Sequence, residues 1–202
     1  MSYRLTTKSG IDFFTISSAF QKCVRRGLEK EVLWLGSELY ISGFAEYCWY
    51  RMRVIVSEDV GLANPQLASQ VQALYQTFQD FKKKKNKNEP EKLCFVHALL
   101  LIIRSPKSRL VDNLLCEYFF LRDTVEEPDF SNMDFIFDCH TQVGKKLNRG
   151  NDFFYEISGH IENIPDFILK EEFEIRDRVW NKYKQEEHKN KYKEPDLFNE
   201  IP

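Results

Sequence analysis

Apolar residues recur at spacings of three and four along most of the first 124 positions, the period that gathers them on one face of an α-helix. Phe13, Ile16, Phe20 and Val24 form the first stripe, with Asp12 ahead of it as N-cap. Gly27 interrupts, and Leu28, Val32, Leu35 and Leu39 repeat the period until Ser42-Gly43, where a helix stop is expected. Phe44, Cys48, Met52, Ile55 and Val56 mark a third helix. It runs into Ser57-Glu58-Asp59-Val60-Gly61, whose glycine suits a helix end. Asn64 before Pro65 reads as an N-cap followed by proline at the first helical position, and Leu67, Val71, Leu74, Phe78 and Phe81 carry the fourth helix. After Glu89-Pro90 the run Leu93, Val96, His97, Leu100 and Ile103 is apolar on nearly every side, which predicts a central, buried fifth helix. Ser105-Pro106 reads as the cap of a sixth, with Leu110, Leu114, Tyr118 and Leu121 as its inward stripe.

Six helices with short connectors predict an all-α bundle or array over residues 12–124. From Val125 the pattern changes. Glu126-Glu127-Pro128-Asp129 reads as an acidic linker, periodicity weakens, and Gly144 to Asp152 is polar and glycine-punctuated. Glu171 to Lys193 is charge-dense and suits an exposed helix and tail. Residues 125–202 are thus expected to form a C-terminal extension with short helices, and no internal repeat is evident.

Composition narrows the function classes. No apolar run approaches the 18 residues of a membrane span, so no membrane role is expected. The 29 Lys and Arg nearly balance 31 Asp and Glu, so any pull toward nucleic acid must come from a local patch. The 8 Gly and 7 Pro are too few for a turn-dense β fold. Cys23, Cys48, Cys94, Cys116 and Cys139 are odd in number and widely spaced, as expected of reduced core residues. With no apolar segment behind Met1, a cytoplasmic location is expected. The Gly144-Lys145 pair has Cys139 where a phosphate-binding loop needs its first glycine, so no nucleotide site of that kind, and no cofactor, is expected. The four histidines are scattered. Cys94 and His97 can share a helix face, but core packing is the better account, and no metal site is expected.

One stretch carries a resemblance. Ile55-Val56-Ser57-Glu58-Asp59-Val60-Gly61-Leu62-Ala63-Asn64-Pro65 resembles the Ser-Glu-Asp-hydrophobic-Gly-x-Ala-Asp/Asn-Pro segment of the replication-associated recombination protein A / Werner-helicase-interacting protein family of AAA+ ATPases. Asp12 to Arg25 resembles that family's opening helix, Val32-Leu33-Trp34-Leu35 its second, and Arg104-Ser105-Pro106-Lys107-Ser108 its proline-started sixth. The matching family region is the collar-like helical domain behind the ATPase core. The resemblance therefore implies a tetramer-forming scaffold and a homo-oligomer, or a complex with a full-length AAA+ ATPase. It also implies an association with stalled replication forks and single-strand-binding protein. The Walker A, Walker B and sensor elements have no counterpart here, so ATP hydrolysis is not implied.

Several side chains invite chemistry. Glu58 and Asp59 can be read as paired acids or as carboxylates that fix the angle between two helices by hydrogen bonding to backbone N–H groups; the second reading is favoured. Lys107, just after Ser105-Pro106, can bind a phosphate at a helix N-terminus or simply face solvent. Lys82, Lys83, Lys84, Lys85 and Lys87 form a basic loop, either solvated or holding DNA phosphates, and Arg25-Arg26, Lys145-Lys146 and Arg149 would extend such a patch. Asp134, Asp138, His140, Thr141, Lys145, Arg149 and Asp152 are the densest polar group. Asp138 with His140 is the minimum of a metal-dependent hydrolytic site, and a helix cap with ion pairs explains the same residues. If 134–148 is helical, Asp134 and Asp138 share a face that excludes His140. The tail Glu194 to Pro202 is either a docking segment or a frayed end.

The leading expectation is a non-catalytic oligomerisation or adaptor protein in DNA replication, recombination or repair. The alternatives are a DNA-backbone-binding protein and a metal-dependent hydrolase.

Overall fold

The computed structural model describes residues 5–84 and 87–191, with the side chains of 187–191 excepted. Lys85, the side chain of His188 and the tail 194–202 lie outside what is described. The architecture is an all-α array. No strand occurs among the described residues, and the one extended contact is an isolated antiparallel bridge between Thr6 and Asp12. The chain divides into two compact units, one ending at Glu126 and the other beginning at Glu127.

Among the described residues the first unit holds six α-helices: α1 (Phe13–Arg25), α2 (Glu29–Leu39), α3 (Ala45–Ile55), α4 (Leu67–Lys84), α5 (Glu91–Arg104) and α6 (Leu110–Leu115). The Asp12 carboxylate accepts the Thr15 backbone N–H at 2.9 Å and so caps α1, satisfying one of the donors a helix leaves free at its start. All four residues of the first apolar stripe are buried, and Phe20 and Ile16 are sealed completely. Around them pack Val32 and Leu39 of α2, Cys48, Trp49, Met52 and Ile55 of α3, Leu67, Val71 and Phe78 of α4, and Cys94, Phe95, Ala98, Leu99 and Ile102 of α5. Gly36 lets α2 approach α5 closely: a Cβ there would stand 2.9 Å from Leu99 Cδ1.

Several expected boundaries differ. Gly43 has φ +87°, yet it does not stop the chain; it kinks a wide π turn, Tyr40–Phe44, that joins α2 directly to α3. A second π turn, Val56–Val60, ends at Gly61, whose φ of +48° and ψ of −126° form a conformation open to glycine and scarcely to other residues. Pro65 lies in the turn before α4, which begins only at Leu67, and the Asn64 amide donates to Ser105 Oγ at 3.0 Å. α5 is buried on one face only, because Leu93 is 75% exposed and Val96 and His97 are exposed as well. Ser105 ends α5: its hydroxyl and its backbone N–H both bond to the Leu101 carbonyl, so it does not cap the next helix. The N-cap position of α6 is Arg109, which makes no side-chain cap bond, and one residue earlier Ser108 Oγ accepts the Leu110 N–H at 3.2 Å.

The second unit is built of short pieces. Two single 3-10 turns, Phe130–Asn132 and Asp134–Ile136, precede α7 (Gln142–Lys146) and α8 (Asn151–Phe153), and α8 passes into a π turn, Phe154–Ser158. The segment 134–148 is therefore not one helix, and the shared face expected for Asp134 and Asp138 does not form. The long α9 (Asp166–Lys191) lays Trp180 and Tyr183 on Tyr155, with ring centroids 4.7 and 5.6 Å apart.

Candidate functional site

Glu58 and Asp59 sit at the centre of the first unit's polar chemistry. The π turn Val56–Val60 brings both carboxylates to α1. There Arg25 Nη2 reaches Glu58 Oε1 and Arg25 Nε reaches Asp59 Oδ1, each at 2.6 Å. The Gln21 amide donates to Glu58 Oε2 at 2.8 Å and to Asp59 Oδ2 at 2.9 Å. From the other side Arg109 comes within 3.5 Å of Glu58 and 3.4 Å of Asp59, and also pairs with Asp112. Asp59 is 1% exposed, so this is a buried charge whose desolvation is offset by several donors. The Asp59 backbone carbonyl accepts the Ser108 N–H at 3.0 Å. The reading of this pair as structural carboxylates fits the geometry, but their side-chain partners are a glutamine and two arginines, not backbone N–H groups. Spacing along the chain gave no sign of those partners, which lie 33–51 positions away.

The Ser105–Ser108 junction serves the same corner. Lys107 points back at the end of α5 and donates to the carbonyls of Ile102 and Ile103, each at 2.8 Å, and of Ser105 at 2.6 Å. Burial lowers its ammonium below the usual lysine value, and the charge of Asp59 opposes that shift. Its acceptors are carbonyl oxygens that a helix C-terminus leaves over, so Lys107 serves the end of α5 and not the N-terminus of the next helix.

Between α3 and α6 lies an open cleft of about 560 Å³ lined by Tyr50, Val54, Ser57, Val111 and Leu115, with Arg53, Glu58 and Asp112 at its rim. Its α6 wall belongs to a larger apolar face. Leu110, Leu114, Tyr118 and Leu121, expected to point inward, are 48%, 42%, 46% and 56% exposed. Val111 and Leu115 form an adjoining stripe, and Phe119 and Phe120, in the π turn Cys116–Phe120 that continues α6, stand 74% and 73% exposed. The helical period holds here, but the face it defines is turned to solvent.

The lysine run divides. Lys82 to Lys84 are the last residues of α4 and not a loop. Lys82 pairs with Glu46 at 2.7 Å and Lys83 with Asp80 at 3.6 Å; Lys84 and Lys87 are exposed.

In the second unit Asp138 and His140 do meet, with Oδ2 and Nδ1 3.1 Å apart. The contact is local, because Asp138 Oδ1 also accepts the His140 backbone N–H at 2.9 Å, forming an Asx turn. The hydrogen bond from His140 holds the Asp138 carboxyl below its usual range. Thr141 follows and caps α7 by accepting the Gly144 N–H at 2.9 Å. Arg149 binds the Asp134 carboxylate at 2.6 Å and the carbonyls of Asp134 and Phe137 at 2.9 Å. A cap and internal ion pairs thus account for Asp134, Asp138, Thr141 and Arg149. Among the described residues no three His, Cys, Asp or Glu side chains converge as a metal site. Cys94 is buried while His97 is exposed, so they do not face one another. Among the described residues no helix is long and apolar enough to cross a membrane. The five cysteines are unpaired; Cys48 and Cys94 are buried and the other three are half-buried.

No protein-family model and no curated protein matches the chain.

Proposed function

We propose that the chain is an assembly module, joining a second copy of itself through the apolar face of α6 and the π turn that follows it. The observation that carries this reading is the pair of adjoining stripes from Leu110 to Leu121, exposed along their length and continuous with the α3–α6 cleft. Contiguous apolar surface of this kind marks an interaction site, and a helix face meeting its own copy buries it symmetrically. The resemblance of Ile55–Pro65 to the AAA+ family segment supports the same role. By that resemblance the context is DNA replication, recombination or repair, with a motor-bearing AAA+ ATPase as the other partner.

Light scattering across micromolar concentrations tests the reading. Association is expected for the native chain, and Leu114→Glu with Phe119→Ser, both on exposed positions, is expected to return it to a monomer. A native chain that stays monomeric throughout, and forms no complex with a full-length AAA+ ATPase of that family, would overturn it.

A further inference from the structure

On the outer side of the Arg25 network, α1 and α3 enclose a polar hollow of about 220 Å³, and its lining includes Ser17, Ser18, Lys22, Arg25, Tyr47 and Arg51. Arg25 is committed to Glu58 and Asp59. Arg51 is not committed to any carboxylate: among the described residues it makes no ion pair, its Nη2 donates to the neutral Gln21 Oε1, and its Nε is buried without a hydrogen-bond partner. Gln21 is itself fixed, because its amide nitrogen is held by both carboxylates, which leaves its oxygen to orient the Arg51 guanidinium. Lys22 is exposed and likewise has no ion pair among the described residues. The three carboxylates of the network, Glu58, Asp59 and Asp112, are engaged by Arg25 and Arg109. Lys22 and Arg51 therefore bring positive charge to the hollow with no carboxylate set against it.

A guanidinium and an ammonium that line one hollow without a counter-charge favour an anion there. We infer that the hollow between α1 and α3 is a binding site for a phosphomonoester dianion. The chemistry matches on three counts. Two cations answer a charge near −2, and Arg51, with Nη2 turned to Gln21 and Nε sealed, keeps its Nη1 N–H groups for a phosphoryl oxygen. The hydroxyls of Ser17, Tyr47 and Ser18 line the same space, the first two hydrogen-bonded to each other, and supply further donors to the other oxygens.

The test is a titration of the full chain with inorganic phosphate at constant ionic strength, read by amide chemical shifts. Saturable shifts confined to residues 17–25 and 47–51 are expected, with affinity near the millimolar range, about 1 mM. Arg51→Gln is expected to weaken binding about tenfold and Lys22→Ala severalfold, and Lys22→Ala, at an exposed position, guards against a folding artefact. Glycerol phosphate and a phosphoserine peptide, titrated alongside, separate a free metabolite from a modified protein as the source. Absence of saturable shifts up to about 20 mM phosphate, or unchanged affinity in both variants, would overturn the inference. Tighter binding of unphosphorylated duplex DNA than of any phosphomonoester at these same residues would overturn it too.

Discussion

Arg25 Nε donates to Asp59 Oδ1 at 2.6 Å, tying the last turn of α1 to the turn that ends α3. The acceptor is sealed from solvent while the donor's side chain keeps 30% of its exposure, so the bond is protected at its carboxylate end. Asp59→Ala removes the buried acceptor shared by Gln21, Arg25 and Arg109, leaving them Glu58 alone, and is expected to cost about 3 kcal/mol. Arg109→Ala, which removes longer contacts to Glu58 and Asp59 and a close but exposed one to Asp112, is expected to cost only about 0.5 kcal/mol. Urea unfolding of the two variants checks the order; equal losses would show that the buried carboxylate is not the keystone of the junction.

Gly61→Ala meets two obstacles at once. The backbone conformation excludes a side chain, and a Cβ would stand 2.8 Å from Val111 Cγ2 on α6. A loss of about 1–3 kcal/mol is expected in thermal or urea unfolding. Gly27→Ala serves as the comparison, since at φ +66° it carries backbone strain with open space around it, and it should lose less.

Lys107→Met keeps the length of the stem and removes the donor to three carbonyls. Loss of about 1–2 kcal/mol is expected from uncapping α5. Amide exchange should accelerate at Ser105 and Ser108, whose N–H groups close that corner, and unchanged exchange would contradict the capping role.

Acid should weaken the first unit in a defined direction. The Ser9 backbone N–H, 2.8 Å from Glu38 Oε1, holds the Glu38 carboxyl below its ordinary 4.5, with help from Thr7 and Ser42. The hydrogen bond from Arg104 does the same for Glu29. Where folded values are depressed, the unfolded chain binds protons first. Stability is therefore whole above about pH 4.5 and falls as pH drops through the folded values. Urea midpoints measured from neutral to acid pH should show this slope, and Glu38→Gln should flatten it.

How much of this was legible in the sequence follows from where the information lies. The stripes Phe13–Val24, Cys48–Val56 and Leu67–Phe81 sit where their period placed them, because burial against neighbours is what a 3.6-residue repeat encodes. The stripe Leu110–Leu121 has the same period and lies exposed, since period alone does not say whether a partner helix exists. Ser105 and Lys107 were misread for a related reason. A serine-proline pair can end one helix or start the next, and the free carbonyls of α5 lie within reach of Lys107, which no local pattern states. The roles of Glu58 and Asp59 depend on Gln21, Arg25 and Arg109, residues brought near only by the fold. In the second unit, Asp138 to Thr141 is a turn and cap whose bonds are local, yet its surroundings lack the periodicity that would have placed it.

The separation of Arg25 from Asp59 also has a meaning in time. A ribosome adds roughly 5–20 residues each second, so α1 is complete about 2–7 s before its carboxylate partners exist, and longer still before Arg109 joins them. During that interval Gln21 and Arg25 have only water to bond. Helix α1 therefore waits for distant partners, whereas α4 and α5, joined by a short connector, can close on each other as soon as both are synthesised.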